Sequence, residues 1–205
     1  MRGASLRPAV GQRARSSTRV RFDAQQLLHV LVDRRNDTLV GRVARVVGSL
    51  VVAARMRAWQ QYIDEVPTPA IRPPSFNAYF VPIWANMTDD QFVEYTERLP
   101  LRKHFYRKMG RNGFSPADID EALDKLRQTL RRMEQSLAGG AWLVDDRYSL
   151  ADVSITPMIV RMEDLGLSSM WVGLPPVKDW YARIQARPNF SVAYMPGSRD
   201  LGPSC

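Results

Sequence analysis

An all-α fold follows from three observations on the 205-residue sequence. Apolar residues recur at helical intervals in two long stretches: Val52, Met56, Trp59, Ile63 and Val66, then Ile119, Leu123, Leu126, Leu130, Met133 and Leu137. Three helix starts carry a hydroxyl cap with an acid or amide three residues on, namely Thr88 with Gln91, Ser115 with Asp118 and Ser149 with Asp152. No stretch alternates apolar and polar residues as a half-buried strand does.

Composition narrows the chemistry. A hydrophobic content of 45% suits one globular domain or two small ones. The single cysteine, Cys205, excludes an internal disulfide framework, and with only His29 and His104 besides it no metal-ligand spacing exists, so no metal is expected. Arg42, Arg45, Arg55 and Arg57 interrupt the best candidate for a membrane span, which predicts a soluble, cytoplasmic protein. The net charge of +8 is unevenly spread. Residues 1–50 hold ten Arg against three Asp, leaving 19 basic and 18 acidic groups for the remainder.

Taken in order, residues 1–22 form a basic leader, rich in Arg and Ser, that cannot bury enough apolar surface to order itself. An organelle transit sequence, a nucleic-acid or membrane-surface arm, and a leader without a role all fit that composition. No aromatic residue interleaves the arginines to stack on bases, so nucleic acid is not expected as a partner. Residues 23–50 read as short helical segments of unclear role, the first capped by Asp23 and running to Val32.

The helical domain proper is expected over residues 51–195. Its first helix, residues 52–66, ends at Pro67-Thr68-Pro69. Phe76, Tyr79, Phe80, Val81, Ile83 and Trp84 follow, an aromatic stretch that either packs over helix ends or walls an apolar ligand site. Beyond the Thr88 helix and Pro100, the cations Lys103, His104, Arg107, Lys108 and Arg111 predict a solvated basic face. Ser115 opens the helix expected to donate most of the core, with Pro116 at its first position, and Gly139-Gly140 closes it. Ser149 and Asp152 then start a central helix, with Tyr148 and Val153 as an apolar staple across its start and Val153, Met158, Met162 and Leu165 facing neighbours. Asp152 is a capping residue here, not a catalytic acid. Val177, Trp180 or Tyr181, and Ile184 build the last long helix, and residues 196–205 form a frayed tail.

Trp142-Leu143, the acidic turn Asp145-Asp146, Ser149-Leu150-Ala151-Asp152 and Ala186-Arg187-Pro188-Asn189-Phe190 occur in the order in which the C-terminal helical domain of the glutathione S-transferase family carries them. The chain resembles that domain from about residue 52 to residue 195. The insertion around residues 67–100 looks like a bacterial subgroup that includes enzymes cleaving aromatic ethers. The resemblance implies an all-α C-terminal-like bundle, glutathione as cosubstrate, a hydrophobic small molecule as acceptor and a homodimer. It also implies an acceptor pocket at Arg55, Trp59 and Tyr62 on the first helix, although ordinary packing plus a solvated Arg accounts for these residues better. The family's thioredoxin-like glutathione-binding domain has no recognisable counterpart in residues 1–50, so that half is expected to be missing or truncated and the activity impaired. The competing expectation is a non-catalytic interaction module.

Overall fold

The computed structural model describes residues 39–199. The basic leader, the segment capped by Asp23, His29 and Cys205 lie outside the described residues. Contacts divide the chain between Gly48 and Ser49, and the helical domain is the unit that begins at Ser49.

Among the described residues all regular structure is helical apart from one isolated bridge, Val144 with Arg147. α1 spans Leu39–Glu65. It stops where Pro67 opens the short α2 (Pro67–Ala70). α3 (Arg72–Trp84) takes Pro73 and Pro74 in its first turn, where no intrahelical N–H is needed, and tolerates Pro82 near its end. α4 (Asp89–Glu97) and α5 (Lys103–Met109) form a small outer pair. α6 (Pro116–Leu137), α7 (Leu150–Asp164), a 3-10 turn (Leu167–Trp171), α8 (Pro175–Gln185) and α9 (Pro188–Ala193) complete the described chain.

Each expected capping box is present. In α4, the Thr88 hydroxyl accepts from Gln91 N–H at 3.2 Å and the Gln91 side chain accepts from Thr88 N–H at 2.8 Å. In α6, Ser115 and Asp118 make the same exchange. In α7 the Ser149 hydroxyl accepts from Ala151 N–H at 3.2 Å, one residue earlier than the spacing suggests, while Asp152 accepts from Ser149 N–H at 2.9 Å.

Two cores result. The larger gathers Trp59 and Ile63 of α1, Leu126, Leu130 and Met133 of α6, Ile155 and Ile159 of α7, and Trp180 of α8. The smaller is aromatic: Trp84, Phe92, Tyr106, Met109 and Phe114. α6 packs against α2, α3, α8 and the 3-10 turn, so it is the pillar of the unit. The expected staple differs from the structure. Val153 is 44% exposed, and Tyr148 instead meets the Trp142 ring edge-on at 5.1 Å beneath the Arg187 guanidinium. Val153 lies with Leu150 and Pro157 on the exposed stripe of α7, turned away from the buried Ala151, Ile155 and Ile159.

A latch fixes α3 to the start of α6. Asn77 donates to Phe114 C=O at 3.1 Å and accepts from Phe114 N–H at 2.7 Å. Gly113 makes the close approach possible: its φ is +89°, and a Cβ there would lie 2.6 Å from Asn77 Oδ1.

Candidate functional site

Two cavities of this unit bring the candidate residues together. The first, of about 540 Å³, lies between α3 and α7. Phe76, Tyr79 and Phe80 share one side of α3 because residues three and four apart are helical neighbours. Pro157 and Met158 of α7 form the opposite wall, with Ile71 between. The aromatic wall is backed by the smaller core: Phe80 stacks on the fully buried Trp84 with centroids 5.0 Å apart, and Phe76 meets Phe105 edge-on at 4.9 Å. Rings held from behind present a pre-formed apolar surface, as small-molecule sites generally do.

The charged lining residues of this cavity are Arg72 and Arg161, and no acidic side chain among the described residues lines it. Arg161 reaches Asp164 only at 3.8 Å. That carboxylate is already engaged by Arg199, whose guanidinium lies 2.6 to 2.7 Å from it and also holds Glu163. Glu163 in turn accepts from the Tyr181 hydroxyl, and burial together with that carboxylate pushes the phenol well above its ordinary range. This cluster therefore tethers α7 to α8 and leaves Arg161 weakly countered.

The second cavity, of about 500 Å³, contains two of the three residues expected to form the acceptor pocket, Arg55 and Trp59. Each already has a partner. Arg55 pairs with Asp145 at 2.6 Å, and Trp59 is 5% exposed in the larger core. Tyr62, outside the lining, donates to Thr129 at 3.0 Å, since the Thr129 hydroxyl proton goes to Lys125 C=O. The Arg132 guanidinium covers both rings, 4.9 Å from Trp59 and 4.1 Å from Tyr62. The floor is the acidic turn, where Asp145 and Asp146 take φ values of 50° and 52°, a conformation Asp tolerates better than most residues. Asp146 holds it by accepting from Ala141 N–H at 2.6 Å.

Ser149 and Asp152 belong to neither cavity. The Asp152 carboxylate is fully buried and accepts from Leu143 N–H at 3.1 Å and from the Trp180 indole at 2.9 Å as well as from Ser149. The basic segment is a neutralised surface: Lys103 and Arg107 both pair with Glu97, and Arg111 with Asp89. Among the described residues no group of His, Cys, Asp and Glu could hold a metal, and no helix is long and apolar enough to cross a membrane.

Sequence reasoning singled out the aromatic wall but missed Arg72, Arg161, Pro157 and Met158. Arg72 shares the wall's side of α3 by its four-residue spacing to Phe76, whereas Pro157, Met158 and Arg161 of α7 join it only through the tertiary arrangement, which no local spacing encodes.

Residues 89–188 match the family described as glutathione S-transferase, C-terminal domain. The chain is 27% identical over 154 residues to Protein LigF of Sphingobium sp. (strain NBRC 103272 / SYK-6), covering 72% of this chain and 60% of that protein. It is 31% identical over 71 residues to a probable glutathione S-transferase, GSTF1, of Oryza sativa subsp. japonica, covering 35% of this chain and 32% of that one. It thus spans less than two thirds of the length of either relative. Among solved structures, the beta-etherase LigF from Sphingobium sp. strain SYK-6 superposes with a TM-score of 0.59 at 23% identity, over 77% of this chain and 72% of that one, a likeness of fold.

Proposed function

We propose, from the match of residues 89–188 to the glutathione S-transferase C-terminal domain, that the helical unit is the acceptor-binding half of a glutathione-dependent transferase or ether-cleaving enzyme. Glutathione is the cosubstrate, and its thiolate site belongs to a thioredoxin-like half rather than to this unit. The observation that supports the reading is the first cavity, whose aromatic wall and apolar opposite face suit a planar hydrophobic electrophile. In the reaction the thiolate sulfur forms a bond to the electrophilic carbon while the carbon–oxygen bond of an ether breaks. The departing aryloxide keeps the electron pair and takes a proton from water. The unit contributes by holding the acceptor still, so that a bimolecular encounter becomes a positioned one.

The test is to incubate the purified 205-residue chain with glutathione and a neutral aryl ether and to follow phenol release, alongside direct titration of each compound. Ether binding that weakens at least about tenfold in Phe80→Ala is expected, with phenol release falling in the same variant. No ether binding by a folded chain would sink the reading.

A second seat for the acceptor is the cavity beside Arg55 and Trp59, favoured by its comparable volume. It requires the Arg55–Asp145 pair to open. Turnover that falls in Arg55→Ala but not in Phe80→Ala would place the acceptor there. The alternative of a homodimeric, non-catalytic interaction module draws on Leu50 and Val51, which lie exposed at adjacent positions on α1. A monomer by light scattering at high concentration would count against it.

A further inference from the structure

We propose that the cavity between α3 and α7 selects an aromatic anion, with the ring on Phe76, Tyr79 and Phe80 and a carboxylate between the guanidinium groups of Arg72 and Arg161. This rests on the assignment of that cavity as the acceptor seat and adds the charge of the ligand.

Four observations carry it. Both charged residues that line the cavity are arginines, and no carboxylate among the described residues lines it to compensate them. The Arg72 side chain makes no hydrogen bond or ion pair with a described residue. Arg161 has only a 3.8 Å approach to Asp164, a carboxylate already committed to Arg199. The remaining lining is largely apolar and aromatic, so bound anions lose competing water on one side and their attraction to the guanidiniums is less screened than at an open surface.

The ligand class follows from the shape of these demands. A guanidinium offers parallel N–H donors that match the two oxygens of a carboxylate, and one on each side can hold an anion that a lone surface cation cannot. An aromatic body accounts for the rings, which gain from edge and face contacts with a planar guest. A small arylalkenoic acid meets both demands. A neutral ring compound of the same shape would satisfy the wall but leave Arg72 unpaired and Arg161 with only its 3.8 Å approach to Asp164.

The decisive experiment titrates the full chain calorimetrically, without glutathione, with cinnamate and with cinnamamide, its neutral isostere. Cinnamate is expected to bind at least about tenfold more tightly. Arg72→Gln and Arg161→Gln should each weaken cinnamate about fivefold or more while leaving cinnamamide within about twofold, and raising the salt from about 50 to about 500 mM should narrow the gap between the two probes. Helix content by circular dichroism checks that each variant is folded. Equal affinity for acid and amide would overturn the anion inference while leaving the acceptor seat in place. Binding of neither probe would overturn the seat itself, and this inference with it. Loss of cinnamate binding in Phe80→Ala alone, with both arginine variants unaffected, would likewise overturn the role given to the cations.

Discussion

Asp152 shows how much a single carboxylate can be asked to do. A capping box alone predicts a loss of about 1 kcal/mol on truncation. Here one oxygen also receives the Trp180 indole N–H and the Leu143 N–H, in a position with no solvent access. Asp152→Ala would leave these donors buried without acceptors, each at a cost of about 1 to 3 kcal/mol. The expected total is therefore about 3 kcal/mol or more, read from denaturant unfolding followed by circular dichroism. Asp152→Asn should recover only part of it, because an amide nitrogen must then face an N–H. A loss confined to the value of a cap would show that Trp180 and Leu143 find other acceptors. The capping half of this arrangement was legible in the sequence, since cap and acid are three residues apart. The hub was not, because Trp180 reaches Asp152 from a different helix and no spacing within α7 announces it.

Helices α4 and α5 illustrate how elements are joined by charge. Glu97 stands at the last turn of α4, where the helix dipole disfavours an anion, and Lys103 and Arg107 of α5 close around it. Its hydrogen bond from Lys103 is the main cause that holds the Glu97 carboxyl below 4.5, with burial opposing and Arg107 assisting. A carboxyl lowered in the folded state stabilises it above the unfolded value, and that contribution disappears as the pH falls from 4.5 through the lower folded value. Nuclear magnetic resonance titration should find Glu97 titrating below 4.5, moving upward with added salt, and Glu97→Gln should flatten the acid limb of the melting temperature. An unshifted carboxyl would mean that the pairs fluctuate open in solution. The run of cations from Lys103 to Arg111 identified this segment as a basic face. What it could not show is that an acid six and ten residues earlier neutralises it across the Pro100 turn, which depends on how α4 and α5 pack.

The two cores make different predictions about cooperativity. Legibility in the sequence also divides along them. The stripes of α1 and α6 are amphipathic, so Trp59, Ile63, Leu126, Leu130 and Met133 could be assigned to the larger core by period alone. On α7 the exposed stripe, Leu150, Val153 and Pro157, is itself apolar, which hides the buried Ile155 and Ile159 from any periodic reading. The aromatic stretch at 76–84 was visible as an anomaly, with its role open. In the structure the same rings serve the smaller core and the wall of the first cavity, because Phe80 lies between Trp84 and the cavity. Trp84 is fully buried, so Trp84→Ala should cost about 3 to 5 kcal/mol. The damage is expected to spread locally. Hydrogen exchange should lose protection in α3, α4 and α5, whose rings surround Trp84, while α8 keeps most of its protection because Val177, Trp180 and Ile184 belong to the larger core. Aromatic ligands of the first cavity should weaken in the same variant although Trp84 does not line it, since Phe80 loses the ring behind it. Leu130→Ala, at 1% exposure in the pillar helix, is the control: a loss of about 2 to 5 kcal/mol distributed over α1, α7 and α8 is expected there. If the two variants give the same exchange pattern, the unit folds as one cooperative body. If they differ as described, the aromatic core is a separately yielding layer, and the ligand wall built on it is the part of the molecule that gives way first.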